Sequence, residues 1–363
     1  MIAAIIVSIA FPIIFLYLVR WLDLYASGSF KGVIICFAWG WVAFFIALQV
    51  NNPILAQFQL AGIAPVLFYT IVTPIVEEIA KSSILVYFVR RSDFTYFVDG
   101  AIYGFAVGTG FAVIENLFYL TGPGATDGLP VALSRAFSTS LMHGSASALV
   151  GISLGRLKFG RGWSRILSLL LGWAGAMALH SSFNNIVSRM EGAFALVLVV
   201  VIGLGGVALV AAFIFWGLSE ERRWLRETLK LDVGVSRHES SMVQKMEDLD
   251  TLLAPITERF GAEKRKQVEA FLRLEAQMGL KSKARAMTND AKLSNQLDDE
   301  IANLRQQMDQ QRQQVGLHCM IYARVIIPLE AVSMYLQLES MQVKETMTEN
   351  SLFRTLGNRI KPS

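Results

Sequence analysis

Ile75-Val76-Glu77-Glu78-Ile79-Ala80-Lys81 sets two adjacent glutamates inside a stretch that otherwise reads as a membrane helix. A charged side chain at the centre of such a helix costs roughly 2.5–3.5 kcal/mol on insertion scales, and intramembrane acids are functional candidates by default. Three further hydrophobic segments each carry an ionisable residue: Glu115, His143 and His180. Ionisable groups on four apolar segments point to a polar site built inside a bundle of membrane helices.

The composition supports a membrane chain. Of 363 residues, 53% are hydrophobic and 17% charged, against about 25% charged in an ordinary globular chain. Nineteen of the Lys, Arg, Asp and Glu residues lie in positions 1–216 and forty-three in 217–363. The first part reads as a membrane domain and the second as a soluble, helix-rich domain. The net charge of +4 is small and dispersed, which argues against a nucleic-acid partner. Cys36 and Cys319 fall one in each part, so no disulfide and no metal-type cysteine pair is expected. The apolar stretch 2–19 lacks a basic leader and a small-residue cleavage site, and reads as a retained membrane helix.

A span needs about 20 apolar residues. Seven candidates follow: 2–19, 33–48, 63–89, 100–120, 135–154, 166–186 and 193–216. The third holds Pro65 and Pro74 and is expected to tilt, kink or begin re-entrantly. Basic loops at 20–32, 90–99, 155–165 and after 216 alternate with loops at 49–62, 121–134 and 187–192 that carry no excess of Lys or Arg. The positive-inside rule then puts the N-terminus outside and the C-terminal part in the cytoplasm. The expected fold is all-α: a polytopic membrane helix bundle of seven spans, residues 1–216, with a cytoplasmic helical domain, residues 217–363. At about 1.5 Å rise per residue, Glu77, Glu78, Glu115, His143 and His180 reach overlapping depths between mid-membrane and the outer third.

Each helix offers a distinct surface. Lys81 follows Glu77 by four residues and Glu78 by three, so it can neutralise either carboxylate and leave the other free. Gly100, Gly104 and Gly108 form a smooth stripe that a neighbouring helix can approach closely, and Glu115 continues near that face. His143, Ser147 and Gly151 fall four apart, as do Gly172, Ala176, His180 and Asn184. Arg135 reads as an interfacial anchor.

Carboxylates in a low-dielectric site have raised pKa values, and neighbours push one another's apart, so that one serves as base and another as acid. That suits activation of water for attack on an amide, with His and Asn donors available to a developing oxyanion. No H-E-x-x-H helix is present. Glu115, His143 and His180 can nonetheless serve as ligands from separate helices for zinc or another divalent metal.

Glu77-Glu78-x-x-Lys81, Phe111-x-x-x-Glu115-Asn116-x-x-Tyr119, Arg135 followed by His143 and Gly151, and His180-x-x-x-Asn184 together resemble the PrsW family. That family consists of bacterial intramembrane proteases related to the CAAX prenyl endopeptidases. The resemblance covers 77–184, each motif on its own helix. It implies location in a bacterial cell membrane and regulated proteolysis. The reaction it implies is site-1-type cleavage of a single-pass membrane-anchored substrate, such as an anti-sigma factor, near its extracytoplasmic side. It also implies Glu77 or Glu78 as the water-activating base, Glu115 as acid partner, His180 and Asn184 at the oxyanion, and His143 and Lys81 in support. The CAAX enzymes carry histidine where this chain has Glu115, so their assignment of roles does not transfer directly. A metal requirement stays open, the family having been classed both as metal-type and as glutamate-type.

Residues 217–363 lie outside these motifs. Met242 to Phe260 reads as one amphipathic helix, Val268 to Met278 as a second ended by Gly279, and Leu297 to Val315 as a short heptad seam suited to a bundle or a homodimer. Leu317 to Leu338 reads as a buried helix. Two other functions compete with an endopeptidase: an ion- or proton-coupled transporter or channel, and a non-catalytic membrane scaffold. No internal repeat of the transporter kind is visible.

Overall fold

The structure, a computed structural model, describes residues 1–22, 29–92, 94, 96–121, 128–159, 162–190, 192–229, 249–288 and 290–326. Among these, every regular element is helical. The helices are α1 (Ile2–Trp21), α2 (Phe30–Leu60), α3 (Pro65–Leu67), a π-helical stretch (Phe68–Val72), α4 (Thr73–Phe88), α5 (Phe97–Thr121), α6 (Leu129–Phe137), α7 (Thr139–Phe159), α8 (Trp163–Arg189) and α9 (Gly192–Leu229). Beyond them come α10 (Leu249–Met287), α11 (Ala291–Val315) and α12 (Leu317–Ile326).

Among the described residues, five helices are long and apolar enough to cross a membrane: α1, α2, α5, α8 and the Gly192–Glu220 part of α9. The expected third and fifth spans are built differently. The segment 63–89 is a run of α3, the π stretch and α4, with Pro65 in its first turn. The segment 135–154 is interrupted at Ser138, which separates α6 from α7. Both carry polar faces turned to the site, so neither is uniformly apolar. The loop expected at 49–62 is mostly helix, because α2 continues through Pro53 to Leu60. At 1.5 Å per residue its 31 residues exceed the ~30 Å hydrocarbon layer.

The glycine stripe of α5 is where the bundle is tightest. A Cβ on Gly100, Gly104 or Gly108 would overlap the backbone of Gly151, Ser147 or His143 of α7. The two helices therefore run antiparallel at backbone contact, as small residues permit between membrane helices. On another face of α5, a Cβ on Gly110 would overlap Phe37 of α2. Wrapped in this way, α5 is the most buried of the candidate spans.

The π stretch has a local cause. Pro74 has no N–H and its ring clashes with the carbonyl four residues earlier, which opposes a regular α-helix at Thr70. The chain winds wider instead, with the Thr73 N–H bonding Phe68 O. In that register the partner for Tyr69 O would be residue 74, a proline, so Tyr69 O needs a donor from elsewhere.

The C-terminal helices pack on themselves and on one end of the bundle. The heptad positions Leu297, Ile301, Leu304, Met308 and Val315 are buried within the same chain, in one apolar cluster with Val268, Phe271 and Leu272 of α10. Gln311 takes the remaining place by donating to Gln267 O at 3.0 Å. Gly279 does not end a helix as expected; the break in α10 falls at Gly261, with φ 87°. The 242–248 start of the expected first helix and the 327–338 part of the expected last one lie outside the described residues. Ser92, just after α4, donates to Glu300 of α11, and Lys281 of α10 lies 2.5 Å from Glu300 Oε2 and donates to Ser92 O at 3.3 Å.

Candidate active site

The sequence leaves open which glutamate Lys81 takes. In the structure it takes Glu78: Lys81 Nζ lies 2.5 Å from Glu78 Oε1, both side chains fully buried. Ser147 of α7 donates to Glu78 Oε2 at 3.1 Å, and His180 Nδ1 of α8 lies 3.0 Å from Oε1. Glu78 is thus held by three helices. A buried ion pair is tolerated only when its remaining lone pairs are also satisfied, and here they are.

Glu77 is the next residue, rotated by about 100° on a helix of 3.6 residues per turn. It faces a cavity of about 370 Å³ shared with Tyr69, Phe111, Glu115, His180 and Asn184. Its Oε2 is buried without a hydrogen-bond partner among the described residues; His180 Nε2 stands 3.6 Å away. An unsatisfied buried carboxylate oxygen is costly, and it is the atom in this site still open to a further ligand.

Glu115 is held from the other side. Its Oε2 lies 3.1 Å from His143 Nε2 and 3.0 Å from Arg135 Nη2. The Arg135 guanidinium lies 3.9 Å from the centre of the Tyr119 ring, and its Nε donates to Asn116 Oδ1 at 2.9 Å. Asn116 in turn donates to Ser140 Oγ at 3.0 Å. Arg135 is therefore a site residue and not the interfacial anchor that its position suggests. Arg135 reaches Glu115 from the last turn of α6, which ends at the Ser138 interruption before α7 begins. The sequence signal was present in the polar set Glu115, Asn116 and Tyr119 on one side of α5, with Arg135 the nearest cation.

His143 joins the two carboxylate centres. Its Nδ1 lies 2.9 Å from Lys81 Nζ, and its ring meets that of His180 edge-on at 4.7 Å. An ammonium donates and cannot accept, so the ring proton sits on Nε2 and points at Glu115. Phe111 flanks the ring at 5.0 Å and carries Lys81 Nζ over its face at 4.7 Å. Asn184 donates from Nδ2 to Tyr69 O at 2.9 Å, which supplies the donor that the π winding and Pro74 deny that carbonyl.

Ligand atoms of Glu77, His143 and His180 all lie within 4.8 Å of one another, and all three side chains are buried. The set takes Glu77 where the sequence reading names Glu115, which is engaged with Arg135. One carboxylate and two imidazoles are donors that zinc accepts. Glu78 on His180 Nδ1 is the outer partner that orients such a ligand, and Glu77 Oε2 is otherwise unpartnered. The residues fit a divalent ion, with one condition: His143 offers an Nε2 lone pair only as the other tautomer, with its proton on Nδ1, where Lys81 would face it as a neutral amine.

A helical bundle enclosing two buried carboxylate–imidazole centres beside a cavity defines a polytopic membrane protein with a polar site inside the bundle. The family model described as PrsW family intramembrane metalloprotease matches residues 28–217, and the chain belongs to that family. It is an integral membrane protein. A relative named Protease PrsW from Bacillus subtilis (strain 168) is 32% identical over 97 residues, 26% of this chain and 41% of that protein. Another of that name from Geobacillus kaustophilus (strain HTA426) is 28% identical over 138 residues, 38% and 59%. A third, from Halalkalibacterium halodurans, is 29% identical over 179 residues, 48% and 79%. The chain thus matches less than two thirds of the length of the first two. No solved structure matches it.

Proposed function

We propose that the chain is an intramembrane endopeptidase that hydrolyses a peptide bond of a single-pass membrane protein, with Glu77 as the group that meets the water. The observation that carries this reading is the contrast between adjacent carboxylates: Glu78 is saturated by Lys81, Ser147 and His180, whereas Glu77 Oε2 is buried, unpartnered and on the cavity. Water oxygen attacks the carbonyl carbon while its proton passes to Glu77. The C–N bond then breaks, and the same carboxyl returns the proton to the leaving amine. Proton transfer of this kind contributes about 10²–10⁴-fold. His180 Nε2 lies on the same cavity and, with the Nδ1–H committed to Glu78, donates to the developing oxyanion only as the imidazolium. Lys81 and Glu78 fix the rings of His143 and His180.

Glu77, His143 and His180 would hold a divalent ion, zinc being the candidate. When bound, it supplies Lewis-acid polarisation and acidifies water. Were Glu77 a ligand, the proton-accepting role would fall to Glu115, which also lines the cavity beside His143 and Arg135.

The substrate class, a membrane-anchored regulator such as an anti-sigma factor cut near its extracytoplasmic side, rests on the family. An outside N-terminus and a cytoplasmic C-terminal domain rest on the alternation of loop charge. The contacts of Glu300 and Lys281 with Ser92 beside the basic 90–91 pair support putting that domain on the basic side.

The test uses the full chain in liposomes with a tagged single-span substrate. Glu77→Gln is expected to reduce cleavage by about 10²–10⁴-fold with an unchanged melting temperature. Cleavage by Glu77→Gln at the unmodified rate would overturn the assignment. Chelator sensitivity restored by zinc would assign the ligand role to Glu77, and insensitivity the role of base.

A further inference from the structure

A second cavity, of about 1100 Å³, lies far from the glutamates, where the ends of α4 and α7 and the start of α8 meet α10 and α11. Arg90, Arg91, Lys158, Arg165 and Lys292 line it. The acid on its lining is Asp290, whose Oδ1 is committed to the backbone N–H groups of Lys292 and Leu293 as the cap of α11. The charge around the opening is therefore strongly positive. Lys158 is fixed by donating to Arg91 O at 2.8 Å and Phe94 O at 3.0 Å, and Arg91 donates to the Tyr87 hydroxyl at 3.3 Å. Arg90, Arg165 and Lys292 are exposed.

The lining also includes the apolar side chains of Val89, Leu154, Leu157 and Leu293. Tyr87 and Trp163, both exposed, stand at the membrane ends of α4 and α8, the level at which amphipathic aromatic rings mark the edge of the hydrocarbon. A cavity with a cationic rim, apolar lining residues and this level in the membrane fits an amphiphile that carries a phosphate. Lysine and arginine near the surface attract anionic lipid, and guanidinium groups bind phosphate oxygens in pairs.

We propose that this cavity binds the headgroup of an anionic phospholipid, which bridges the ends of α4, α7 and α8 to α10 and α11. The bound lipid would tie the C-terminal domain to the helix that carries Glu77 and Glu78. The inference is independent of the reaction at the other cavity.

The experiment measures lipid binding to the purified full chain by native mass spectrometry in detergent. Phosphatidylglycerol, phosphatidylcholine and inorganic phosphate are the probes. Phosphatidylglycerol is expected to bind at least about tenfold tighter than phosphatidylcholine. Each neutralised cation should weaken it by about fivefold, so that Arg90→Gln, Arg165→Gln and Lys292→Gln combined weaken it by about a hundredfold. Lys292→Gln alone, at an exposed position in the first turn of α11, keeps the test valid if the triple variant does not fold. Equal binding of the two lipids, or unchanged binding in Lys292→Gln, would overturn the proposal. Phosphate that competes with the lipid at equal concentration would assign the site to a free anion instead and overturn the lipid source.

Discussion

The α5–α7 crossing and the run from Pro65 to Phe88 both deliver site residues, by opposite means. At the crossing, glycines remove every side chain between two backbones, and Glu115 and His143 emerge from a surface with no slack. Along the other run, Pro74 spoils the regular winding, a π stretch absorbs the misfit, and Tyr69 within it lines the cavity. One region fixes where imidazole and carboxylate stand; the other makes room for what they act upon. Lys81 connects the two, reaching from α4 to His143 of α7 and the Phe111 face of α5.

The largest effect on stability is therefore expected at the connection. Lys81→Met keeps the length of the side chain but leaves Glu78 charged, buried and without a cation. Removing one partner of a buried pair costs about 3–5 kcal/mol, read as a lowered thermal unfolding temperature in detergent. Lys81→Met combined with Glu78→Gln should recover most of the loss, because no buried charge is left over. A single variant as stable as the unmodified chain would mean that the pair does not hold the two regions together.

A smaller loss is expected at the crossing itself. A Cβ on Gly104 meets Ser147 O and the Cα of Ala148, backbone atoms that cannot turn aside. Overpacking of this kind costs about 1–3 kcal/mol, so Gly104→Val should lower the unfolding temperature and lose cleavage with it. Gly205→Ala on α9 is the contrast: its Cβ meets nothing within 4 Å, and helix propensity favours Ala by about 1 kcal/mol. If the two glycines behaved alike, the contrast between a seam without slack and the rest of the bundle would fail.

These differences explain how far the sequence could be read. The stripe Gly100, Gly104 and Gly108 and its partners His143, Ser147 and Gly151 were legible because close helix approach needs a fixed spacing of small residues, and spacing is visible in a sequence. Glu77, Glu78, Glu115, His143 and His180 were legible because ionisable groups are expensive in an apolar segment. The choice of Lys81 between Glu77 and Glu78 was not legible: it depends on the rotation of α4 against Ser147 and His180, which is set by tertiary packing. The contact of Arg135 with Glu115 was not legible because its place in the chain resembles an interface, and the interruption at Ser138 between α6 and α7 has no proline or glycine to announce it. The continuation of α2 to Leu60 was not legible because the apolar run ends near 48, and the residues that follow, with Pro53 among them, carry no periodicity that marks a helix.

The smallest effect separates two roles for Asn184, as an oxyanion donor or as the support of the π stretch. Its Nδ2 is spent on Tyr69 O, a carbonyl whose own partner would have been the missing N–H of Pro74. Asn184→Ala removes one hydrogen bond and should cost about 0.5–1.5 kcal/mol. Pro74→Ala restores an N–H within reach of the same stretch, so Tyr69 O no longer depends on α8. If support is the role, the two substitutions are coupled: Asn184→Ala should cost less stability and less cleavage in the Pro74→Ala background, by more than the few tenths of a kcal/mol that independent sites show. If Asn184 acts on the reacting carbonyl, its loss in cleavage is the same in both backgrounds. The π stretch would then be an accident of Pro74, and the open side of the site would owe its shape to the cavity lining alone.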